Sequence, residues 1–430
     1  MKHRISRTSP LIKKSGLKAA GALVGLMAGG GMAVHAQSDT DTNAIAGLQQ
    51  QNQVLQQRLD ALEDLAKKQG LMPSGTSPKF VSSMADMTIS GFVQASYFYN
   101  VNRPASGYSD GYLWNTKDNS FSINKVKITF ASPPAERSAT DWNAGYRVSL
   151  MAGEDAPILN SDSGTTGFDY LREAYIDLNV PIGEGLNIKA GELISLLNWE
   201  SGDGGAANPN FSQGYQWYYT GDGPEAGVQL DYAFTDWLDV KFRVENGLYA
   251  GPISSSNGKG VMGTIGLKPS DKLWIDLTGF GGEGAGTLDV DGGEVLAGYQ
   301  ATSKLGTGLE ADYFHFSVDN GPVGDTFSLG GWVWYDFTAK AGLAFRAEYL
   351  NDQHGLGINS RLGGPAPFGA GIYSPDPNGD LESFTLTFNW KPAPAIKIQP
   401  EVRYNHTSYS GGFNGKDHQF IIGAGASYLF

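Results

Sequence analysis

The sequence predicts an all-β fold, a transmembrane antiparallel β-barrel of about sixteen strands preceded by a short coiled-coil helix. Three observations predict it. The chain ends in apolar residues at every second position, Phe420, Ile422, Ala424, Ala426 and Tyr428, and stops on Phe430, as a lipid-facing last strand requires. Segments of period two recur from residue 85 onward, and the connections between them alternate long and short, the loop-and-turn asymmetry of outer-membrane barrels. Glycine at 59 of 430 residues and aromatics at 12% fit short strands and many turns. A secreted soluble β-protein has similar totals, so the order of residues decides.

Residues 1–36 read as a secretory signal. Lys2, Arg4, Arg7, Lys13, Lys14 and Lys18 precede the small apolar stretch Ala19 to Ala33, and Val34, His35 and Ala36 supply the cleavage site. Its removal makes the formal charge of -13 more negative by the six bases it carries. So acidic a chain is not expected to bind nucleic acid. No later window offers about 20 consecutive apolar residues, so no transmembrane helix is expected after the signal. With no cysteine, disulfides, thiol chemistry and thiolate metal sites are excluded.

Residues 37–70 form the expected periplasmic coiled coil. Ile45, Asn52 and Leu59 fall at a and Leu48, Leu55 and Leu62 at d, a seam that joins copies, with Asn52 fixing register. Residues 71–84, rich in breakers, form a linker. The barrel then occupies 85–430. Its expected strands are 86–99, 119–131, 141–152, 169–180, 185–195, 223–233, 236–249, 259–268, 271–281, 293–303, 306–317, 325–337, 340–350, 381–391, 395–407 and 417–430. The connections at 132–140, 234–235, 269–270, 304–305, 338–339 and 392–394 are short, which puts both barrel termini on the short-turn side.

Within the strands, charged rows alternate with apolar ones. Leu238, Val240, Phe242 and Val244 interleave with Asp239, Lys241, Arg243 and Glu245, and Phe384, Leu386, Phe388 and Trp390 with Ser383, Thr385, Thr387 and Asn389. A charge facing lipid at mid-membrane costs about 2–4 kcal/mol, so the charged rows face inward and the interior is wet. The expected inward bases are Lys125, Lys127, Arg147, Lys189, Lys241, Arg243, Arg346, Lys397 and Arg403. The inward acids are Glu173, Asp177, Glu225, Asp231, Asp239, Glu245, Asp276, Glu294, Glu310, Asp312, Asp336, Glu348 and Glu401. Thirteen acids against nine bases predict a mild preference for cations, unless the charges simply pair across strands.

The long connection from Asn198 to Asp222 is the expected constriction. It carries Glu200, Asp203 and Asp222 beside Trp199, Tyr215, Trp217, Tyr218 and Tyr219. Folded inward, its acids would face Lys125, Lys127, Arg147 and Lys189 and set up a transverse field. Folded outward, its aromatics would join the membrane-edge girdle.

Six stretches then carry a resemblance. They are Asp118 to Asn124, Gly153 to Ala156, Arg172 to Tyr175, Gly185 to Gly191, Asn208 to Ser212, and Asn246-Gly247. In this order and spacing the chain resembles the outer-membrane porin family called putative beta-barrel porin-2, OmpL-like. The family pattern commonly continues with Trp and Asp where this chain has Leu248 and Tyr249, so no loop-specific substrate follows. The resemblance implies passive passage without a named solute, and no catalytic residues.

The expected function is thus an outer-membrane porin for small hydrophilic solutes and ions, in contact with outer-membrane lipid and associated as a homotrimer. The alternatives are a substrate-specific channel, or a barrel whose coiled coil anchors the membrane to the cell wall. No enzyme, cofactor or metal is expected. His315, His354, His406 and His418 are scattered rather than set at ligand spacing. Asp289 to Glu294 and Asp376 to Asp380 offer oxygen ligands in expected external loops, and neither completes a calcium loop.

Overall fold

The computed structural model describes residues 87–111, 114–160, 167–254, 257–284, 288–319, 321–355, 357, 378–409 and 412–430. The expected signal, the coiled-coil seam Ile45, Leu48, Asn52, Leu55, Leu59 and Leu62, and the linker lie outside them.

Sixteen strands follow in chain order: β1 (Thr88–Asn100), β2 (Ser120–Ala131), β3 (Asn143–Ala152), β4 (Leu171–Val180), β5 (Leu186–Leu193), β6 (Glu225–Ala233), β7 (Leu238–Glu245), β8 (Gly260–Ser270), β9 (Leu273–Gly282), β10 (Leu288–Gln300), β11 (Leu305–Val318), β12 (Val323–Thr338), β13 (Ala341–Gln353), β14 (Gly379–Ala393), β15 (Ile396–Thr407) and β16 (His418–Leu429). Each pairs antiparallel with its chain neighbours, and β1 pairs with β16, so the sheet closes. At the seam Phe430 and Gly91 exchange two backbone hydrogen bonds, of 2.9 and 3.0 Å. Closure leaves no strand edge unpaired, which is the condition for a sheet to sit in lipid. Among the described residues no helix is long and apolar enough to cross a membrane.

The two faces separate as alternation requires. Phe384, Leu386, Phe388 and Trp390 project outward, while Ser383, Thr385 and Thr387 between them are buried inside. On β16, Phe420, Ile422 and Tyr428 face out and Gln419, Ile421 and Ser427 face in.

Two connections differ from expectation. The acidic stretch Asp289 to Glu294 is not an external loop, because β10 already begins at Leu288, with Asp289 opposite Ser317 and Asp291 opposite His315. Val290 explains it: it is buried among Leu197, Leu248, Met262, Phe280, Phe314 and Phe316, and this packing outweighs the weak strand preference of Asp and Gly. Of the second stretch, Asp376 and Pro377 lie outside the described residues, and Asp380 is in β14. The β2–β3 turn, expected to be short, runs from Ser132 to Trp142. Of the external connections, the one between β5 and β6, residues 194–224, makes the interior what it is.

Candidate functional site

Segment 194–224 carries two short helical turns, a 3-10 turn at Gly204–Ala206 and α2 at Gln216–Tyr219, after α1 (Ala156–Leu159) earlier in the chain. Asn208 clamps its first bend, accepting from the Ser201 amide and donating to the Ser201 carbonyl, both at 2.9 Å. So short a stretch of regular structure leaves most backbone groups without local partners, and buried ones must find them elsewhere. They find them on the inward faces of strands far along the chain.

The carboxylates of that wall accept the segment's N–H groups. Glu294 accepts from the Asn198 amide at 2.5 Å and Glu310 from the Trp199 amide at 2.7 Å. Glu348 takes the Gln216 amide at 3.1 Å. Glu401 takes the Phe211 amide at 2.7 Å and the Ser212 hydroxyl at 2.5 Å. Asp312 accepts from Gln216 Nε2, Thr220 and Ser328. The bases bind its acceptors. Arg346 donates to the Ser212 carbonyl at 2.6 Å and to Glu200 at 2.7 Å. Arg403 donates to the Gln213 carbonyl at 3.1 Å with its guanidinium 4.3 Å from the Tyr215 ring centre. Lys397 reaches the Gly205 and Asn208 carbonyls. Charge-assisted bonds of this kind are roughly twice as strong as neutral ones.

An aromatic anchor adds to these bonds. Trp199 stacks against Trp274 at 5.2 Å and 4° and against Trp332 at 5.7 Å and 28°. It fits because Gly308 floors the slot: a Cβ there would meet the Trp199 ring at 2.4 Å. From outside, Trp114 donates to the Gln213 carbonyl at 3.2 Å and packs edge-on against Trp217 at 4.9 Å.

The opposite arc of wall is met more sparsely. Asp203 pairs with Lys127 at 2.9 Å, and Glu173 accepts from Arg147 at 2.6 Å. Lys125 pairs with Asp155 at 3.2 Å and donates to Gln213. Lys189 lies over the Tyr175 ring at 5.2 Å, and Lys241 pairs with Asp239 at 2.7 Å. Between this arc and the segment a cavity of about 100 Å³ remains, lined by Lys127, Arg147, Arg172, Glu173, Asn198, Glu200, Asp203, Trp217 and Asp222 among others. Glu225 is buried beside Asp222 and Glu245, with Arg243 3.4 Å from Glu245.

Several expected roles change with this geometry. Trp199 and Tyr215, expected to line a constriction, are buried as anchors. Glu401, Arg346 and Arg403, expected to line open water, are 2%, 0% and 2% exposed because the segment covers them. Arg172, buried and donating to the Leu159 carbonyl, and the glycine floor were not among the expected lining residues, although Arg172 opens one of the stretches that carry the family resemblance. The carboxylates of Glu294, Glu310 and Asp312 place oxygens within 4.8 Å of one another. Glu294 and Glu310 accept from the segment's backbone, and Asp312 from side chains of the segment and β12.

The family model described as putative beta-barrel porin-2, OmpL-like, matches residues 86–430. No curated protein matches the chain in sequence. Solved structures similar to it include OmpT, an outer membrane protein of Vibrio cholerae described in a trimer form, at 13% identity, covering 80% of this chain and 99% of that one, with a TM-score of 0.51. OprB of Pseudomonas putida is similar at 12% identity, 81% and 96% coverage and a TM-score of 0.54. An anion-selective porin from Comamonas acidovorans is similar at 11% identity, 80% and 99% coverage and a TM-score of 0.51. At such identities the structural likeness speaks for the barrel fold. The family match adds the location, the bacterial outer membrane. A match that runs the length of the barrel leaves one conclusion: the chain belongs to the putative beta-barrel porin-2, OmpL-like family of outer-membrane porins.

Proposed function

We propose that the barrel is a passive porin for small hydrophilic solutes and ions, and that segment 194–224 is its constriction. The observation that carries this reading is the polar segment pinned across the interior, with its remaining cavity against Lys127, Arg147 and Asp203. About sixteen strands enclose an aqueous channel rather than a packed core, and a segment across it sets the width.

On this reading the sign preference is weak. The mild cation preference expected from thirteen acids rests in part on Glu294, Glu310, Asp312, Glu348 and Glu401, whose oxygens are engaged by the segment. The charges left to meet a solute at the narrowing are chiefly Arg147, its side chain 37% exposed, and Asp203, 23% exposed. They orient a dipole more than they select a sign. The similar porin of Comamonas acidovorans is described as anion-selective; in this chain the sign rests on its own lining charges. Catalysis forms no part of the proposal. We also propose that residues 37–70 zip barrels into a homotrimer, in keeping with the trimer form of OmpT; mass in mild detergent tests this, with monomer alone rejecting it.

The decisive experiment is single-channel recording in a planar bilayer. Replacing 198–222 by a short Gly-Ser connection should raise conductance in a folded barrel, and unchanged conductance rejects the constriction. Strong selectivity under a salt gradient rejects the weak-sign reading. Tight saturable block by one sugar or amino acid replaces the general pore by a specific channel.

A further inference from the structure

The β2–β3 turn is longer than joining two adjacent strands requires, since hairpin loops of 2–5 residues suffice. Its extra residues lie against the lumenal side of β4 and reach as far as β6. The Ala135 amide donates to Asp177 at 3.3 Å. The Ser138 amide donates to Asn179 Oδ1 at 3.2 Å, and Asn179 Nδ2 donates back to the carbonyls of Ser138 and Asp141 at 3.1 and 2.8 Å. Asp177 and Asn179 are buried side chains on the lumenal face of β4. Arg137 goes further and pairs with Asp231 of β6 at 2.8 Å. With strands about 4.8 Å apart, β6 lies roughly 14 Å beyond β3, so the turn reaches across part of the opening instead of hanging below it. The β4–β5 turn makes room: Gly185 sits at φ 103°, and a Cβ there would meet the Ser138 amide nitrogen at 2.8 Å and Asn179 Oδ1 at 2.6 Å.

We propose that residues 132–142 form a second narrowing at the periplasmic mouth, with Arg137 as the residue that reads the charge of a solute leaving the pore. The proposal rests on the porin reading above. Its chemistry is simple: the Arg137 side chain is 28% exposed, so its guanidinium is held by Asp231 on one side and meets water on the other. Paired with Asp231, the guanidinium presents the positive end of a dipole to the neck, which favours anions over cations only at close range, well inside the Debye length of near 8 Å at physiological salt. The side of the short turns is the periplasmic side.

Because the chain has no cysteine, Arg137→Cys provides the sole thiol for a charged methanethiosulfonate reagent added to either side of a bilayer. Reagent from the periplasmic side should lower single-channel conductance, and reductant should restore it. A cationic reagent should shift the zero-current potential toward anions relative to an anionic one. Arg137→Gln, which removes the charge and keeps an N–H donor on a shorter side chain, should shift it toward cations and serves if the cysteine variant folds poorly. Labelling proved by mass with conductance and potential unchanged overturns the second narrowing while leaving the pore intact. A folded wild type that never conducts overturns both.

Discussion

On the arc from β10 to β15, inward Glu294, Glu310, Arg346, Glu348, Glu401 and Arg403 are buried under segment 194–224, each engaged by its backbone or side chains. On the arc from β2 to β7, Lys125, Lys127, Glu173, Arg243 and Glu245 are also buried, held chiefly by pairing among themselves and with Asp155 and Asp203, but Arg147, Lys189 and Lys241 stay partly exposed. Residues of the same type at equivalent positions of the alternation meet different fates. Alternation decides which way a side chain points; a segment from elsewhere in the chain decides whether water reaches it. Counting inward charges therefore overstates the charge that a solute meets.

The contrast can be broken most forcefully at Arg346. Arg346→Ala would leave Glu200 and Glu348 inside without their cation, a change that costs about 3–5 kcal/mol for a buried pair. A drop in the urea unfolding midpoint at unchanged slope measures it. Trp199→Ala removes the anchor between Trp274 and Trp332 and should cost about 3 kcal/mol. Single-channel recordings should show added flicker as the segment comes loose, and a quiet channel would mean the hydrogen bonds hold it alone.

Across the barrel the effect on stability should be smaller. Asp203→Asn weakens a pair whose Lys127 is buried, but Glu173 still lies 3.9 Å from that lysine, so the loss should stay below the roughly 3–5 kcal/mol of a broken buried pair, yet the zero-current potential should shift toward anions. A large loss of stability with no shift would reverse the contrast between the arcs.

The smallest expected effect lies outside the membrane. Burial pushes the Asp110 carboxyl from 3.8 up to about 6, against the pull of the Asn414 amide that donates to it. A raised value means that the docked loops bind this proton more readily than free ones. Their docking is therefore strongest below about pH 4 and weakens as pH rises toward about 6. Proteolysis of the 101–119 and 408–417 loops, corrected for protease activity, should be slower at low pH, and Asp110→Asn should flatten the dependence.

The sixteen strands were legible because period two is a local signal that each strand carries by itself. The lining was legible only as a direction. Nothing near Glu200 announces Arg346, and nothing near Trp199 announces Gly308; both partners lie more than 100 residues away. Asp289 and Asp291 misled because Asp and Gly favour turns locally, while Val290 between them belongs to a buried cluster. The β2–β3 turn misled in the opposite sense, its Pro133 and Pro134 reading as a simple break. One signal was within reach: once the register pairs Gly298 with Gly308, two adjacent inward glycines mark bare wall where something must lie.

The pinning of segment 194–224 also constrains how the molecule is made. Glu200 finds Arg346 across 146 positions and Phe211 finds Glu401 across 190. These contacts do not exist until the second half of the chain has been laid down and paired. Contacts so distant in sequence form late and slowly. Until β13 and β15 are in place, the segment lacks the Arg346 and Glu401 partners that pin it.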